Sequence, residues 1–238
     1  MPDLVGSIAL MSHGRLLVAL RDEIVTFDPI SESFHAVARI EASDPEMRCN
    51  DGRCDRQGRF WFGTMHNVTR APEGSLYCLD REGTCTKFFS GIHIPNSLSW
   101  SPDSRTMYFA DSLSYSIYRY AFEAGAGVPS DRQLFAKTTE PAIPDGSCVD
   151  ADGYLWNAEY GGWRLTRYAP DGSVDRTIAL PVENPTSCTF GGPNLDVLYV
   201  TTASQRLSAD ELARQPLAGT VLAFRPGVRG LPEPHFLD

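Results

Sequence analysis

The sequence predicts an all-β protein of the β-propeller class, and three observations support this. Short strand-like segments follow one another along the chain, separated by Gly, Pro, Asn and Asp residues. The composition agrees, because the 238 residues include 20 Gly and 17 Pro and 42% are hydrophobic, which favours many turns over long helices. The same strand pattern also returns at intervals in the forties, and such a period is typical of propeller blades.

Five copies of this pattern align on a small residue near the start of the first strand. Successive copies are 46, 45, 49 and 41 residues apart. The alignment positions are Gly6, Gly52, Ser97, Gly146 and Ser187. A third strand recurs in every copy and a fourth, outermost strand is expected after it, so we predict five four-stranded repeats.

The elements follow this order along the chain. The first copy has predicted strands at residues 7–10, 16–20 and 24–27, with a weaker one at 34–40. The second copy is the most distinct, because residues 48–65 read as a polar segment, an Asp-Gly turn, a strand, a turn at a glycine and an apolar strand. The fifth copy contains the one predicted helix, residues 208–214, with Ser208 as N-cap and Glu211 at the third helical position.

Composition also bears on partners and location. The net charge of −9 argues against a nucleic-acid partner, because proteins that bind nucleic acid usually carry a basic surface. No apolar run approaches the roughly 18 residues that a membrane span needs, and the N-terminal residues show no signal-peptide pattern. The six cysteines form no C-x-x-C pair, so we expect free thiols in a reducing cytoplasm.

Polar side chains recur at one phase of the repeat, just before the first strand of three copies. The residues at this position are Asn50 and Asp51 in the second copy, Asn96 in the third and Asp145 in the fourth. In a propeller, equivalent loops converge on one end of the central channel, so these amide and carboxylate oxygens would meet and could hold a hard divalent cation such as Ca²⁺, Mg²⁺ or Mn²⁺. The alternative is that Asp and Asn before Gly or Ser only form turns.

Other conspicuous residues have simpler interpretations. Trp61, Trp100 and Trp156 lie at strand positions and are expected in the core rather than as ligand stackers. His66 and His93 have no partner at metal-ligand spacing, and no histidine falls at the phase of the polar residues, which argues against a His-rich zinc site.

Three motifs give the chain a family resemblance. They are R-x-N-D-G-x-x-D-x-x-G-x-x-x-x-G-T-M at residues 48–65, N-x-L-x-W-S-x-D at 96–103, and P-D-G-x-x-x-D-x-x-G-x-L-W at 144–156. Together and in this order they resemble the SMP-30/gluconolactonase/regucalcin family of sugar lactonases. The resemblance covers nearly the whole chain and implies a six-bladed propeller that holds one divalent cation near its axis.

The resemblance also implies roles for four residues. Asn96 and Asp145 resemble two of the three protein metal ligands, and Arg48 and Asn50 resemble the residues that bind the sugar lactone. Asp145 resembles the general base as well. The implied reaction is metal-dependent hydrolysis of the lactone ring of a sugar acid, with Ca²⁺ as the first choice of cation and Zn²⁺, Mg²⁺ or Mn²⁺ as alternatives.

The chain departs from the family at the third metal ligand, a Glu in a Glu-Gly-Pro-x-Trp type segment. No such segment is found, and Glu23, Glu41 and Glu46 do not stand in a matching context. We therefore predict one domain, residues 1–238, that lacks about one N-terminal blade. Two alternatives follow: a catalytically impaired propeller that acts as a binding or vestigial protein, or a phosphotriester hydrolase on a related propeller.

Overall fold

The computed structural model describes residues 2–237 and contains nineteen β-strands in five antiparallel sheets, with one short α-helix. The first sheet is formed by β1 (Ser7–Leu10), β2 (Leu16–Ala19), β3 (Glu23–Asp28) and β4 (Ser33–Arg39), in that order. The second is formed by β5 (Met47–Cys54), β6 (Phe60–His66), β7 (Gly74–Leu79) and β8 (Cys85–Ile92), also in chain order.

The remaining sheets repeat this arrangement. The third contains β9 (Pro95–Trp100), β10 (Thr106–Asp111), β11 (Ser116–Glu123) and β12 (Val128–Lys137). The fourth contains β13 (Ile143–Val149), β14 (Leu155–Tyr160), β15 (Arg164–Tyr168) and β16 (Val174–Ala179). The fifth contains β17 (Pro185–Gly191), β18 (Val197–Thr202) and β19 (Val221–Phe224).

Each sheet corresponds to one of the five predicted copies. Within residues 2–237 the fifth sheet has three strands where four were predicted. After β19 the chain passes through Pro226, Pro232 and Pro234, and proline has no N–H to donate to a strand ladder. The predicted helix is confirmed as α1 (Ala209–Arg214), with Ser208 as N-cap and a complete capping box to Glu211.

The chain divides into two compact units. The first comprises the chain up to Leu98, with Glu123–Val128 and the segment from Glu233 onward. The second comprises Ser99–Phe122 and Pro129–Pro232. No helix in residues 2–237 is long and apolar enough to cross a membrane.

Burial follows strand position within a sheet. The middle strands β6, β7 and β14 are buried at nearly every residue, whereas the outer strand β16 is exposed at nearly every residue. These strands are covered on both faces, so the alternation of buried and exposed residues typical of a half-buried strand disappears. Trp61, Trp100 and Trp156 are buried, which confirms their predicted place in the core.

A buried aspartate organises the hairpin between the first and second strands of two sheets. Asp55 Oδ1 accepts hydrogen bonds from the backbone N–H groups of Gln57 and Arg59 at 2.9 and 3.1 Å, and its Oδ2 accepts one from Trp61 Nε1 at 3.0 Å. Gly58, in the same turn, has a φ of +79°, a conformation that favours glycine. The carboxylate therefore joins the turn to the core tryptophan.

Asp150 makes the same arrangement in the second unit. Its Oδ1 accepts from the backbone N–H groups of Asp152 and Tyr154, both at 3.0 Å, and its Oδ2 accepts from Trp156 Nε1 at 2.9 Å. Arg167 Nε donates a hydrogen bond to Oδ2 at 2.8 Å, and its Nη2 forms an ion pair with the same oxygen at 2.7 Å. These contacts explain why Asp, Gly and Trp recur at fixed spacing in the motifs at residues 48–65 and 144–156.

Candidate active site

Two of the predicted site segments lie in β-bulges rather than before their strands. The register of β5 against β6 shifts between Cys49 and Gly52, which leaves Asn50 and Asp51 in the bulge. The prediction that these residues precede the strand is therefore wrong. An Asp-Gly pair can form either a turn or a β-bulge. Here it forms a bulge, and the hydrogen-bonded pairing of β5 with β6 continues on both sides of it.

The same correction applies to the later copies. The register of β13 against β14 shifts between Pro144 and Ser147, so Asp145 lies in a bulge inside β13. Asn96 lies inside β9, where Ser97 follows it with a φ of +63°. Bulges re-aim the side chains that they carry and are over-represented next to active sites.

Three of the four predicted site residues form one hydrogen-bonded network in the first unit. Arg48 Nη1 donates to Asn50 Oδ1 at 2.8 Å. Asn50 Nδ2 donates in turn to Asn96 Oδ1 at 3.2 Å and to the backbone oxygen of Pro95 at 2.9 Å. The two residues predicted to bind the sugar are thus joined to a predicted metal ligand.

Arg48 is held by further contacts on the other side. Its Nε donates to Asn67 Oδ1 at 2.8 Å, and its Nη1 also donates to the backbone oxygen of Cys49 at 2.9 Å. Asn67 lies in the loop after β6 and was not singled out from the sequence, because the pairing depends on how β5 and β6 are aligned. Arg48 and Asn50 are half-buried and Asn96 is buried, so the guanidinium and both amides have fixed orientations.

Asp51 supports β9 rather than standing in a free turn. Its Oδ2 accepts a hydrogen bond from the backbone N–H of Leu98 at 3.0 Å. Burial raises the pKa of this carboxyl above its usual range, against the opposing effects of Arg53 and of the N–H donors. The alternative that Asp51 is only a turn former is therefore incomplete, because its side chain holds the strand segment that follows Asn96.

Asp145 occupies the corresponding bulge of the second unit. Its backbone oxygen accepts a hydrogen bond from Asn157 Nδ2 at 3.0 Å, and the same Nδ2 donates to Ser147 Oγ at 2.9 Å. Burial raises the pKa of the nearby Tyr160, and the negative charge of Asp145 adds to this effect. Asn157 is fully buried in β14, a strand that also contains Glu159, so no contrast with an otherwise apolar segment marked it in the sequence.

Glu41, one of the acidic residues set aside in the sequence, has other partners. Glu41 Oε1 accepts a hydrogen bond from Tyr77 OH at 2.7 Å and forms an ion pair with Lys87 at 3.4 Å. Within residues 2–237, no group of three or more His, Cys, Asp or Glu side chains is arranged to hold a metal ion. His66 Nδ1 accepts hydrogen bonds from the backbone N–H groups of Val68 and Thr69, as a local structural histidine does.

Comparison with known proteins decides the family. The family model described as the SMP-30/Gluconolactonase/LRE-like region matches residues 1–204. The chain belongs to this family. Regucalcin from Xenopus laevis is 35% identical over 235 residues, which are 95% of this chain and 79% of that protein. A 6-deoxy-6-sulfogluconolactonase from Pseudomonas putida is 35% identical over 238 residues, 99% of this chain and 81% of that enzyme.

A solved structure supports the family's fold for this chain. The crystal structure of a calcium-binding protein, regucalcin from Agrobacterium tumefaciens, has a TM-score of 0.94 and 32% sequence identity. The similarity covers 99% of this chain and 80% of that one. The predicted fold class, an all-β propeller of the SMP-30 type, is confirmed. The predicted absence of about one N-terminal blade stays a prediction.

Proposed function

We propose that this SMP-30-family protein opens the lactone ring of a sugar acid by hydrolysis and depends on a bound divalent cation. One observation carries the proposal: the hydrogen-bonded network in which Arg48, Asn50 and Asn96 are consecutive. The sulfogluconolactonase relative supports a sugar lactone as substrate. The calcium-binding regucalcin supports Ca²⁺ as the first choice of cation, with Zn²⁺, Mg²⁺ or Mn²⁺ as alternatives.

The donor set fits such a cation. Asn96 would offer Oδ1 and Asp145 its carboxylate, and oxygen ligands of this kind suit hard divalent ions. The donation from Asn50 Nδ2 fixes the rotation of the Asn96 amide, and Oδ1 is the amide atom proposed to bind the metal ion. A cation bound there would polarise the lactone carbonyl and lower the pKa of a bound water.

The substrate-binding role falls to Arg48 and Asn50. A guanidinium and an amide can hold ring hydroxyl groups in one orientation, and fixed orientation lowers the entropic part of the barrier. Asn67 contributes by holding Arg48 Nε at 2.8 Å, so that the guanidinium has little freedom to rotate away. We infer that these contacts determine how the lactone carbonyl is presented.

Asp145 is proposed as the general base that takes a proton from the attacking water. The proton would then pass to the ring oxygen when the ester bond breaks, which gives the open-chain acid. A carboxylate that also binds a cation is a weaker base, so the water itself must be acidified for Asp145 to suffice. Burial first, and then the charge of Asp145, raise the pKa of Tyr160 above its usual value, so this hydroxyl stays protonated at neutral pH.

We further infer one propeller domain over residues 1–238 and a reducing, cytoplasmic setting. All six cysteines are free thiols, which supports that setting. The alternative proposal is a catalytically impaired propeller with a binding or vestigial role, which the metal-dependence of turnover tests directly. Phosphotriester hydrolysis is a weaker alternative, since the amide and guanidinium of Asn50 and Arg48 suit a polyhydroxylated substrate.

The experiment measures hydrolysis of gluconolactone by the purified chain, with and without EDTA, after subtraction of the spontaneous rate. We expect EDTA to abolish turnover and added Ca²⁺ to restore it, and Asp145→Ala to lower kcat by about 10²-fold or more. Asp171→Ala, which changes an exposed turn carboxylate, is the matched control. Turnover that is independent of metal, or unaffected in Asp145→Ala, would exclude this mechanism. Cation binding without turnover would favour the binding protein.

A further inference from the structure

A cavity of about 220 Å³ lies within the second unit, and its lining includes none of the four residues proposed to bind metal and lactone. One wall is the end of β12 with Thr138 and Thr139, and the other is the face of the sheet formed by β14, β15 and β16. Arg164 and Thr166 alternate along β15 and therefore lie on the same face. The cavity is smaller than the roughly 300–1,000 Å³ of pockets that take drug-sized ligands, which suits a small molecule.

An ion pair between the buried Glu159 and the partly exposed Arg164 lines this cavity. Glu159 is 1% exposed, and its Oε2 accepts a hydrogen bond from Arg164 Nε at 2.7 Å. Its Oε1 accepts one from Tyr168 OH at 3.0 Å. The carboxylate is therefore balanced in charge, while the two Nη groups of Arg164 make no hydrogen bond or ion pair within residues 2–237. The two Nη groups can donate parallel hydrogen bonds to both oxygens of a carboxylate ligand.

Thr138 supplies the observation that points to a ligand. The residue is 6% exposed and lines the cavity, yet its Oγ1 has no hydrogen-bond partner among residues 2–237. Its backbone N–H donates to the oxygen of Tyr115 at 3.0 Å, so the strand end is fixed in place. Buried hydroxyl groups are normally hydrogen-bonded, and leaving one without a partner costs stability. A bound oxygen-rich molecule would satisfy it.

Charge defines the class of that molecule. Lys137 also lines the cavity, is exposed and makes no ion pair within residues 2–237. The only other lysine of the chain, Lys87, is paired with Glu41. Because Arg164 and Glu159 balance each other, Lys137 leaves the cavity with one net positive charge. The hydroxyl groups of Thr138, Thr139 and Thr177 add neutral donors and acceptors.

We propose that this cavity is a second binding site, for a small hydroxycarboxylate anion. The carboxylate of the ligand pairs with Lys137 and the Nη groups of Arg164, and a ligand hydroxyl or carboxylate oxygen meets Thr138 Oγ1. The site goes beyond the proposed lactonase function, because none of its residues belongs to the metal or lactone site.

Ligand binding at this cavity can be followed by NMR, because the chain has only two lysines. Reductive ¹³C-methylation labels Lys137, Lys87 and the N-terminal amine, and each gives its own NMR signal while the amines keep their charge. Gluconate is the first probe and inorganic phosphate the second. We expect gluconate to shift the Lys137 signal saturably and to leave the Lys87 signal unchanged. Arg48→Ala should show the same Lys137 response, which separates this site from the lactone site.

Two variants complete the test. Thr138→Val keeps the shape of the side chain and removes the hydroxyl, so the gluconate Kd should rise about 5-fold, as expected for one hydrogen bond. Its Tm should stay level or rise, because a buried unpaired hydroxyl is removed. Lys137→Gln removes the NMR signal, so its gluconate Kd is measured by isothermal titration and should rise about 10-fold, while Lys87→Gln leaves the Kd unchanged. An unshifted Lys137 signal, an unchanged Kd in Thr138→Val, or phosphate binding as tightly as gluconate would overturn the proposal.

Discussion

Asn50 Nδ2 donates a hydrogen bond to Asn96 Oδ1 at 3.2 Å, across the two strands β5 and β9. The two asparagines hold the same phase in successive copies of the repeat. Through this contact Asn50, which is proposed to bind the lactone, also orients Asn96, which is proposed to bind the metal ion. Loss of Asn50 should therefore affect the cation as well as the sugar.

We predict that Asn50→Ala lowers Ca²⁺ affinity by about 10-fold or more, because residues that orient metal ligands have effects of this size. Isothermal titration of the metal-free protein with Ca²⁺ measures this. Asn67→Ala is the matched control, since it removes the acceptor of Arg48 Nε and leaves the contact between the two asparagines intact. The control should raise KM for the lactone with unchanged Ca²⁺ affinity. Equal Ca²⁺ affinity in Asn50→Ala and the unaltered protein would contradict the prediction.

Acid should weaken the turn that Asp103 organises. Asp103 Oδ1 accepts hydrogen bonds from Ser101 Oγ at 2.6 Å and from the backbone N–H of Arg105 at 3.1 Å, and these lower its pKa below 3.8. A carboxyl whose pKa is lowered on folding stabilises the fold above its unfolded pKa, and the contribution disappears as the pH falls through the folded value.

The variant Asp103→Asn keeps an acceptor oxygen and removes the charge. We expect it to be less stable than the unaltered protein at pH 7, by under about 1 kcal/mol because the group is exposed, and the difference should vanish near pH 2. Urea unfolding at both pH values measures this. Glu73→Gln is the control, because the Glu73 side chain makes no hydrogen bond or ion pair within residues 2–237. A difference that grows toward low pH would show that the sign is wrong.

The sequence predicted local structure better than contacts across strands. The strands, the helix with its Ser208 cap and the turn at Gly58 follow from neighbouring residues, and the structure confirms them. The bulges at Asn50 and Asp145 were mistaken for positions before a strand, because Asp-Gly signals either feature. The partners Asn67 and Asn157 were missed, since strand register brings them to the site and no local motif marks them.

Close approach explains the small residue at the alignment position of the repeat. A Cβ added at Gly146 would overlap Ser187, the residue at the equivalent position of the next copy. Gly146→Ala should therefore destabilise the protein by about 1–3 kcal/mol through overpacking. The double variant Gly146→Ala with Ser187→Gly should regain part of this loss.

Urea unfolding of the single and double variants measures both effects. Gly125→Ala is the control, because the nearest atom to its added Cβ is Glu123 Oε1 at 3.1 Å, at the end of a flexible side chain. It should change stability by less than about 0.5 kcal/mol. A Gly146→Ala variant as stable as Gly125→Ala would mean that the strands can separate without cost.

The buried carboxylate of Asp150 should carry the largest single contribution to the second unit. It is fully buried and accepts hydrogen bonds from two backbone N–H groups, Trp156 Nε1 and Arg167. Removing one partner of a buried ion pair leaves the other charge without compensation, so Asp150→Ala should lower the free energy of unfolding by about 3–5 kcal/mol.

Two further measurements separate this contribution from an ordinary loss of charge. Arg81→Ala removes one partner of an exposed ion pair with Glu82 and should leave the urea midpoint unchanged. Asp150→Asn keeps one acceptor oxygen for the turn amides but loses the acceptor for Trp156 Nε1 and the charge beside Arg167, so its stability should lie between that of Asp150→Ala and the unaltered protein. An Asp150→Asn variant as unstable as Asp150→Ala would assign the effect to the ion pair alone. An Asp150→Ala variant of normal stability would show that Asp175, at 2.9 Å from Arg167, compensates the guanidinium by itself.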